Sequence, residues 1–461
     1  GRGGGHSTKV LRKTMIASPK DTWPNVKHLG ISMRLSDRPG VGGGSYFDVW
    51  FDADYAKVQE QFYACVATND PQNVADLSHL HPYHVDTLLQ MSDYQSQMGE
   101  HAASNDLIER AVYALELGMN QSFLGALQGG SARVDYHYQG NKVLYHVLFR
   151  HMLSVGRRGC NRTALELSRL LLSLSFDSDP MGAVCCLDYY ALRCRHFALV
   201  TKLYDFFSNL PSAHQMYHAA GVPSLHFSYA LSLWHVSNAS QSQPASSSSS
   251  PAAPQPPPLE ALVAALANFP SALRKLLVKC NVTVGGGEWA ALLERPYFEQ
   301  QADGKVEHLI DIFVERQHTL WKPTQVMAFL LKATKSLCQR LDAGERLMDR
   351  DVKVKSERAG REYAHLVTAN FSDAVTVIPA DVMREAQGFG DGGVPMRDPR
   401  GGMGDDDVNR LDANANPLLL FLQSMLPWNA APVEDGNMDA GIDPDAQLAR
   451  QLQQQMLEED D

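Results

Sequence analysis

From Trp50 onward, apolar residues recur at intervals of three and four along most of the chain. That is the spacing of helices that bury one face. The first such stripe is Phe51, Tyr55, Val58, Phe62 and Cys65, and it ends at the break NDPQN, Asn69–Asn73. Four further helices are expected in Asn141–Gly156, Cys160–Leu174, Asp179–Cys194 and Arg195–Leu210, joined by the short breaks RRG and SFDSD. Helical spacing returns in LEALVAALANF, with Pro270 as its stop signal and SALRKLLVKC after it. Val306, Leu309, Ile310, Phe313 and Val314 then share a face, and Pro323 opens another helix. Gly1–Val49 has no such spacing. The turn-forming stretches PKDTWPN and RPGVGGGS make it an irregular arm with one or two short strands.

Two of these helical segments look alike. RTALELSRLLL (Arg162–Leu172) superposes on HFALVTKLYDF (His196–Phe206) with Ala164 opposite Ala198, an offset of 34 residues. That is the tetratricopeptide period, in which a small residue lets paired helices approach. The expected fold is therefore all-α, a tetratricopeptide-like α-solenoid. The expected segments are an arm at 1–49, repeats at 50–236, a disordered Ser/Pro linker at 237–258 and a second helical segment at 259–350. A C-terminal region at 351–428 follows, ending in an apolar helix, and then a disordered acidic tail at 429–461. In that helix, NPLLLFLQSMLPW, apolar side chains wrap most of the circumference. Leu419, Phe421, Leu422, Met425 and Leu426 are the candidate docking residues, for the array's own groove or for a partner.

Charge changes the picture only locally. The 461 residues carry a formal net charge of −11, and 13 of the acidic residues lie in Gly401–Asp461. The remaining body is near neutral, which argues against gripping nucleic acid through a broad basic face, so no direct DNA binding is expected. The densest basic stretch, DRDVKVKSERAGR (Asp349–Arg361), is interspersed with acids and reads as a solvated helix face. Seven cysteines with no C-x-x-C pair suggest buried thiols in a reducing compartment. No apolar run is long enough to span a bilayer, so an intracellular, soluble chain is expected.

Candidate chemistry is sparse. His79, His81 and His84 give H-x-H-x-x-H, yet a hydrolytic metal site needs acidic ligands from elsewhere in a different frame. The surrounding pattern is a helix start, with Pro82 in the first turn and Asp86 against the helix dipole. Cys160 beside Arg157 and Arg158 has the setting of an activated thiol, but a buried helix-start cysteine is the expected reading. GVGGGS and VGGGEW lack the Lys-Ser/Thr ending of a phosphate loop. No catalytic residue, metal or cofactor is expected.

Several stretches resemble one family, transcription factor 25, also called ribosome quality control complex subunit 1. They are PYHVDTLLQMSD (Pro82–Asp93), ERAVYALE (Glu109–Glu116), and RRGCNRTALELSRLLLSL with DSDPM (Arg157–Met181). FPSALRKLL, LWK and LFLQSMLPW follow in family order, and ASPKDTWP (Ala17–Pro24) resembles the segment before the helices. The resemblance implies a non-catalytic adaptor on large ribosomal subunits obstructed by stalled nascent chains. Its implied partners are the ubiquitin ligase Listerin, ubiquitin and the valosin-containing protein segregase, and its implied location is the cytoplasm. An older description of the family, a nuclear transcriptional repressor, is the alternative. The family's upstream lysine-rich region is absent from this chain, and the Ser/Pro insertion departs from the family pattern.

Overall fold

The computed structural model describes residues 12–37, 44–241, 256–283 and 287–372. It divides into two compact units, and helix α6 (Gln139–Arg157) contributes residues to both. The chain is predominantly helical, as the spacing predicts.

Unit 1 begins with two antiparallel strands, β1 (Ile31–Leu35) and β2 (Ser45–Phe51), with Met33 opposite Val49 and Leu35 opposite Phe47. Alternation follows the pleat: Ile31, Met33, Phe47 and Val49 are buried, while Arg34 and Trp50 face out. Strand β2 runs through residue 49, where the sequence reading ended the arm, so Phe51 ends a strand and the first helix starts at Ala53. Helices α1 (Ala53–Ala67), α2 (Pro71–Leu80), α3 (Val85–Gln97), α4 (His101–Gly118) and α5 (Gln121–Gln128) follow. Asp52, Asp70 and Asn120 cap α1, α2 and α5 by accepting backbone N–H groups that have no partner inside the helix. Phe62, Val74 and Leu77 form one core cluster, with Val58 and Cys65 packed against it. That is the face the α1 stripe predicts.

Unit 2 takes α6 from Leu148, then α7 (Asn161–Leu174), α8 (Val184–Arg193), α9 (Phe197–Ser208), α10 (Pro223–Gln241), α11 (Pro258–Asn268) and α12 (Ser271–Lys279). After the short α13 (Gly287–Leu293) come α14 (Gly304–Trp321), α15 (Thr324–Asp342) and α16 (Arg350–Glu362). From α7 to α11 each helix packs on the next, as in an array of hairpins. Helix α14 then returns against α8, α10 and α12. This leaves every residue of α8 from Val184 to Leu192 buried, making it the central helix of the unit.

The hairpins share one turn. Gly159 and Arg195 both adopt positive φ, +84° and +62°. The next N–H, from Cys160 or His196, reaches back to the carbonyl of Val155 or Ala191 at 3.0 and 2.8 Å. This is the Schellman closure, and a new helix begins one residue later. The structural offset is therefore 36 residues, not the 34 expected from sequence. In that register Ala164 matches Val200, and both are fully buried, whereas Ala198 is exposed. Placing Ala198 at a close helix contact is thus corrected: alanine matched alanine in sequence, but the turn sets the register.

Among the described residues no single helix is long and apolar enough to cross a membrane. Helices α11 and α12 qualify only as a pair bent by 105°, and their apolar side chains are largely buried in unit 2. Most of the expected linker, and the whole apolar segment Asn416–Trp428, lie outside the described residues. The linker's two ends are helical, since α10 continues to Gln241 and α11 starts at Pro258.

Candidate functional surface

His84 is the N-cap of α3, which starts at Val85, three residues later than a start at Pro82; Pro82 instead lies in the turn before the helix. Its Nδ1 accepts from Thr87, with the hydroxyl at 2.7 Å and the backbone N–H at 3.4 Å. Nε2 lies 3.0 Å from Gln59 Oε1, so it carries the proton. Burial pushes the imidazole pKa down to about 3, with His81 adding to the effect. His79 is exposed on α2 and His81 is its C-cap. The three residues are placed differently, and among the described residues no group of His, Cys, Asp or Glu is placed to share a metal ion.

The ASPKDTWP segment is a strap. Glu116, near the end of α4, is buried and accepts three successive backbone N–H groups, from Met15, Ile16 and Ala17, at 2.7–2.8 Å. Lys20 pairs with Asp106 at 2.6 Å and Glu109 at 3.4 Å. The Trp23 indole is buried against Tyr113, and its N–H reaches Asp106. The Tyr83 hydroxyl donates to the Pro24 carbonyl. ERAVYALE and PYHVDTLLQMSD, two of the stretches that carry the resemblance, supply the strap's anchor points apart from Asp106.

DSDPM plays a similar internal part in unit 2. The Asp179 carboxylate accepts from the Ala183 and Val184 N–H groups at 2.7 and 3.1 Å, at the start of α8, and from the Tyr363 hydroxyl at 3.0 Å. Burial raises its pKa to about 6 against those hydrogen bonds. One helix turn into α8, Asp188 accepts from Ser228 and Gln317, each at 2.8 Å, and burial raises its pKa as well. Arg316 stacks on Tyr189 and Tyr190, 4.2 and 4.6 Å from their ring centres. These groups are closed inside the unit and hold α8, α10, α14 and the end of α16 together.

The exposed chemistry lies towards the hairpin turns. Arg157 ends α6 and Arg158 follows it, Arg162 opens α7, and Arg193 and Arg195 flank the α8–α9 turn, all exposed, while Arg169 further along α7 is mostly buried. Since α8 returns alongside α7, both turns are at one end of the hairpins. Arg162, Arg169 and Arg193 all act on the Cys194 thiol, lowering its pKa against the burial that raises it. Glu166 pairs with Arg169 at 3.3 Å, and Arg157 donates to the Ser372 carbonyl at 3.3 Å. Cys160, expected to be buried, is exposed as the N-cap of α7. In sequence, Arg157 and Arg158 stand out only as neighbours of Cys160, and Arg193 and Arg195 are a hairpin away, although RRG and RCR mark the same turn.

Some of the stretches tied together in the two units also carry the resemblance: ERAVYALE and PYHVDTLLQMSD in unit 1, DSDPM in unit 2. A family model described as "Transcriptional repressor TCF25" matches residues 47–390. The chain belongs to the TCF25 family. "Ribosome quality control complex subunit TCF25" of Homo sapiens is 30% identical over 419 residues, covering 90% of this chain and 60% of its own length. The Mus musculus protein of the same name is 30% identical over 432 residues with the same coverage. "Ribosome quality control complex subunit 1" of Schizosaccharomyces pombe is 31% identical over 231 residues, half of this chain and 34% of that protein. This member of the TCF25 family thus spans about 60% of the length of the curated animal relatives it matches. No solved structure matches the chain.

Proposed function

We propose that this chain is the helical core of a ribosome quality control complex subunit. In this reading it is a non-catalytic, cytoplasmic adaptor. It acts on large ribosomal subunits that carry stalled nascent chains, alongside the ubiquitin ligase Listerin, and supports ubiquitin attachment before the valosin-containing protein segregase extracts the chain. The observation that carries the reading is the alignment of relatives named as subunits of that complex over 90% of this chain. The internal engagement of Asp179, Asp188 and His84 fits a protein that presents surfaces and does no chemistry of its own. Leu419, Phe421, Leu422, Met425 and Leu426 are proposed as an apolar docking contact for the array or a partner.

Sucrose-gradient sedimentation of cells expressing the tagged chain tests the proposal. Co-migration with large ribosomal subunits, increased when translation is stalled, is the expected result. The family model's description as a transcriptional repressor supports a second reading. Co-fractionation with chromatin and absence from ribosomal fractions would establish that reading instead. Leu419→Asp and Phe421→Asp, tested in turn, should lower either thermal stability or complex formation. Variants normal in both would remove the docking proposal.

A further inference from the structure

We propose that Ser18 is a phosphorylation site for a proline-directed protein kinase, and that its phosphate releases the strap from α4. The inference goes beyond the quality-control reading and does not rest on it.

The strap grips α4 on both sides of Ser18. Upstream, the Met15, Ile16 and Ala17 N–H groups donate to Glu116, and the Thr14 hydroxyl donates to the Ala17 carbonyl at 2.8 Å. Downstream, Lys20 pairs with Asp106 and Glu109, and the Trp23 indole donates to Asp106. Ser18 itself is exposed, and its hydroxyl has no hydrogen-bond partner among the described residues. The backbone there is neither helix nor strand. Pro19 follows, making this the one Ser-Pro or Thr-Pro pair among the described residues. Proline holds the preceding serine extended and brings no N–H into a kinase cleft that offers it no acceptor. An accessible serine with proline next is thus the substrate of a proline-directed kinase.

The step is phosphoryl transfer from ATP. The Ser18 oxygen bonds to the γ-phosphorus and the bond to the bridging oxygen of ADP breaks, while the hydroxyl proton passes to the kinase's catalytic aspartate. The product carries about −1.5 to −2 charges at neutral pH.

Charge decides the consequence. The α4 side chains that hold the strap by ion pairs or through its main chain are Asp106, Glu109 and Glu116, all acids. A phosphate next to Ala17 and two residues from Lys20 places like charge beside them and competes for the Lys20 ammonium, so both halves of the grip weaken. The one arginine or lysine of α4, Arg110, is half-buried beside Asp106 and Tyr83 with its Nε enclosed. Arg12 and Lys13 are exposed and lie beyond the three anchored N–H groups along the strap.

The test treats the full chain with a mitogen-activated protein kinase and Mg-ATP, and maps phosphate by mass spectrometry. Hydrogen exchange is then followed at the Met15, Ile16 and Ala17 amides. A synthetic peptide covering Lys13–Asn25 is the substrate control, and Ser18→Ala is the variant control. That variant removes a hydroxyl without a partner and leaves Ser250, the serine before Pro251, open to the kinase. Both peptide and chain should gain phosphate at Ser18, and the three amides of the modified chain should exchange at least about tenfold faster. Kinase-treated Ser18→Ala should stay within about twofold of the untreated chain. A peptide that is not phosphorylated, or a chain left unmodified where the peptide is modified, would overturn the proposal. So would equal acceleration in Ser18→Ala, or exchange that is unchanged or slower on modification, as a phosphate drawn to Arg110 would give. Exchange is read on the isolated chain and sedimentation on ribosomal fractions, so this proposal and the quality-control reading fail independently.

Discussion

Arg195 and Asp179 show two ways in which a single residue holds an unfavourable state. At Arg195 the burden is steric: Cβ crowds the following carbonyl at positive φ, worth roughly 1–2 kcal/mol. Arg195→Gly should therefore raise stability by about 0.5–1 kcal/mol after its greater unfolded-state entropy, while Gly159→Ala should lower it by about 1 kcal/mol. Opposite shifts in denaturation midpoint would check both. At Asp179 the burden is electrostatic. Its folded pKa, about 6, lies above the ordinary 3.8. The folded state then binds the proton more tightly, so the stabilising contribution is full below about pH 4 and is lost as pH rises through 6. Asp179→Asn removes that titration, so its stability relative to wild type should improve by roughly 3 kcal/mol between pH 4 and 7. A difference independent of pH would refute this. His84 acts in the other direction. Its pKa is depressed to about 3, so its contribution is present above pH 6.5 and lost as pH falls toward 3. His84→Asn keeps a capping side chain and should flatten that acid-side loss.

Elements were legible where one face meets one core. The stripes of α1 and α14 point to the face that packs inward, because burial on one side writes a three-and-four rhythm into sequence. Helix α8 is buried all round, so its sequence has no polar face to mark its limits, and its start was expected five residues early. The repeat register failed for another reason: alanine is small enough to sit anywhere on a helix, so matching alanines carries little geometry. Ala164→Leu should overpack and cost roughly 1–3 kcal/mol, whereas Ala198→Leu should change stability by less than about 0.5 kcal/mol. Helix α16 illustrates packing that only coordinates reveal. Its charged sequence reads as a solvated face, yet Lys355, Ser356, Ala359 and Gly360 are buried. A Cβ on Gly221 would stand 2.2 Å from the Lys355 and Ser356 backbone. Gly221→Ala should destabilise unit 2 by at least about 2 kcal/mol, measured by chemical denaturation.

Across the whole molecule, fold class and family were readable, because both rest on patterns many residues long. The arginines at the hairpin turns were not, because they are divided between two hairpins and total charge conceals a local excess when an acidic tail outweighs it. The strap was half legible. ASPKDTWP resembled the family's segment, but nothing in it announces Glu116, about 100 residues away. Trp23→Ala should cost roughly 3–5 kcal/mol in thermal or chemical unfolding of unit 1, and a neutral result would mean the strap is not part of the folded core.

Glu116 recognises the strap through main-chain N–H groups, which every residue except proline carries. The identities at positions 15 and 16 are consequently almost free, and Met15 is 62% exposed. The constraint falls on the acceptor, since aspartate is too short and glutamine presents only one oxygen where two are used. A saturation library scored for folded protein would then be nearly flat across Met15 and Ile16, apart from proline, and steep at Glu116. Two chains descended from one ancestor can drift apart along this strap while the carboxylate beneath it stays put.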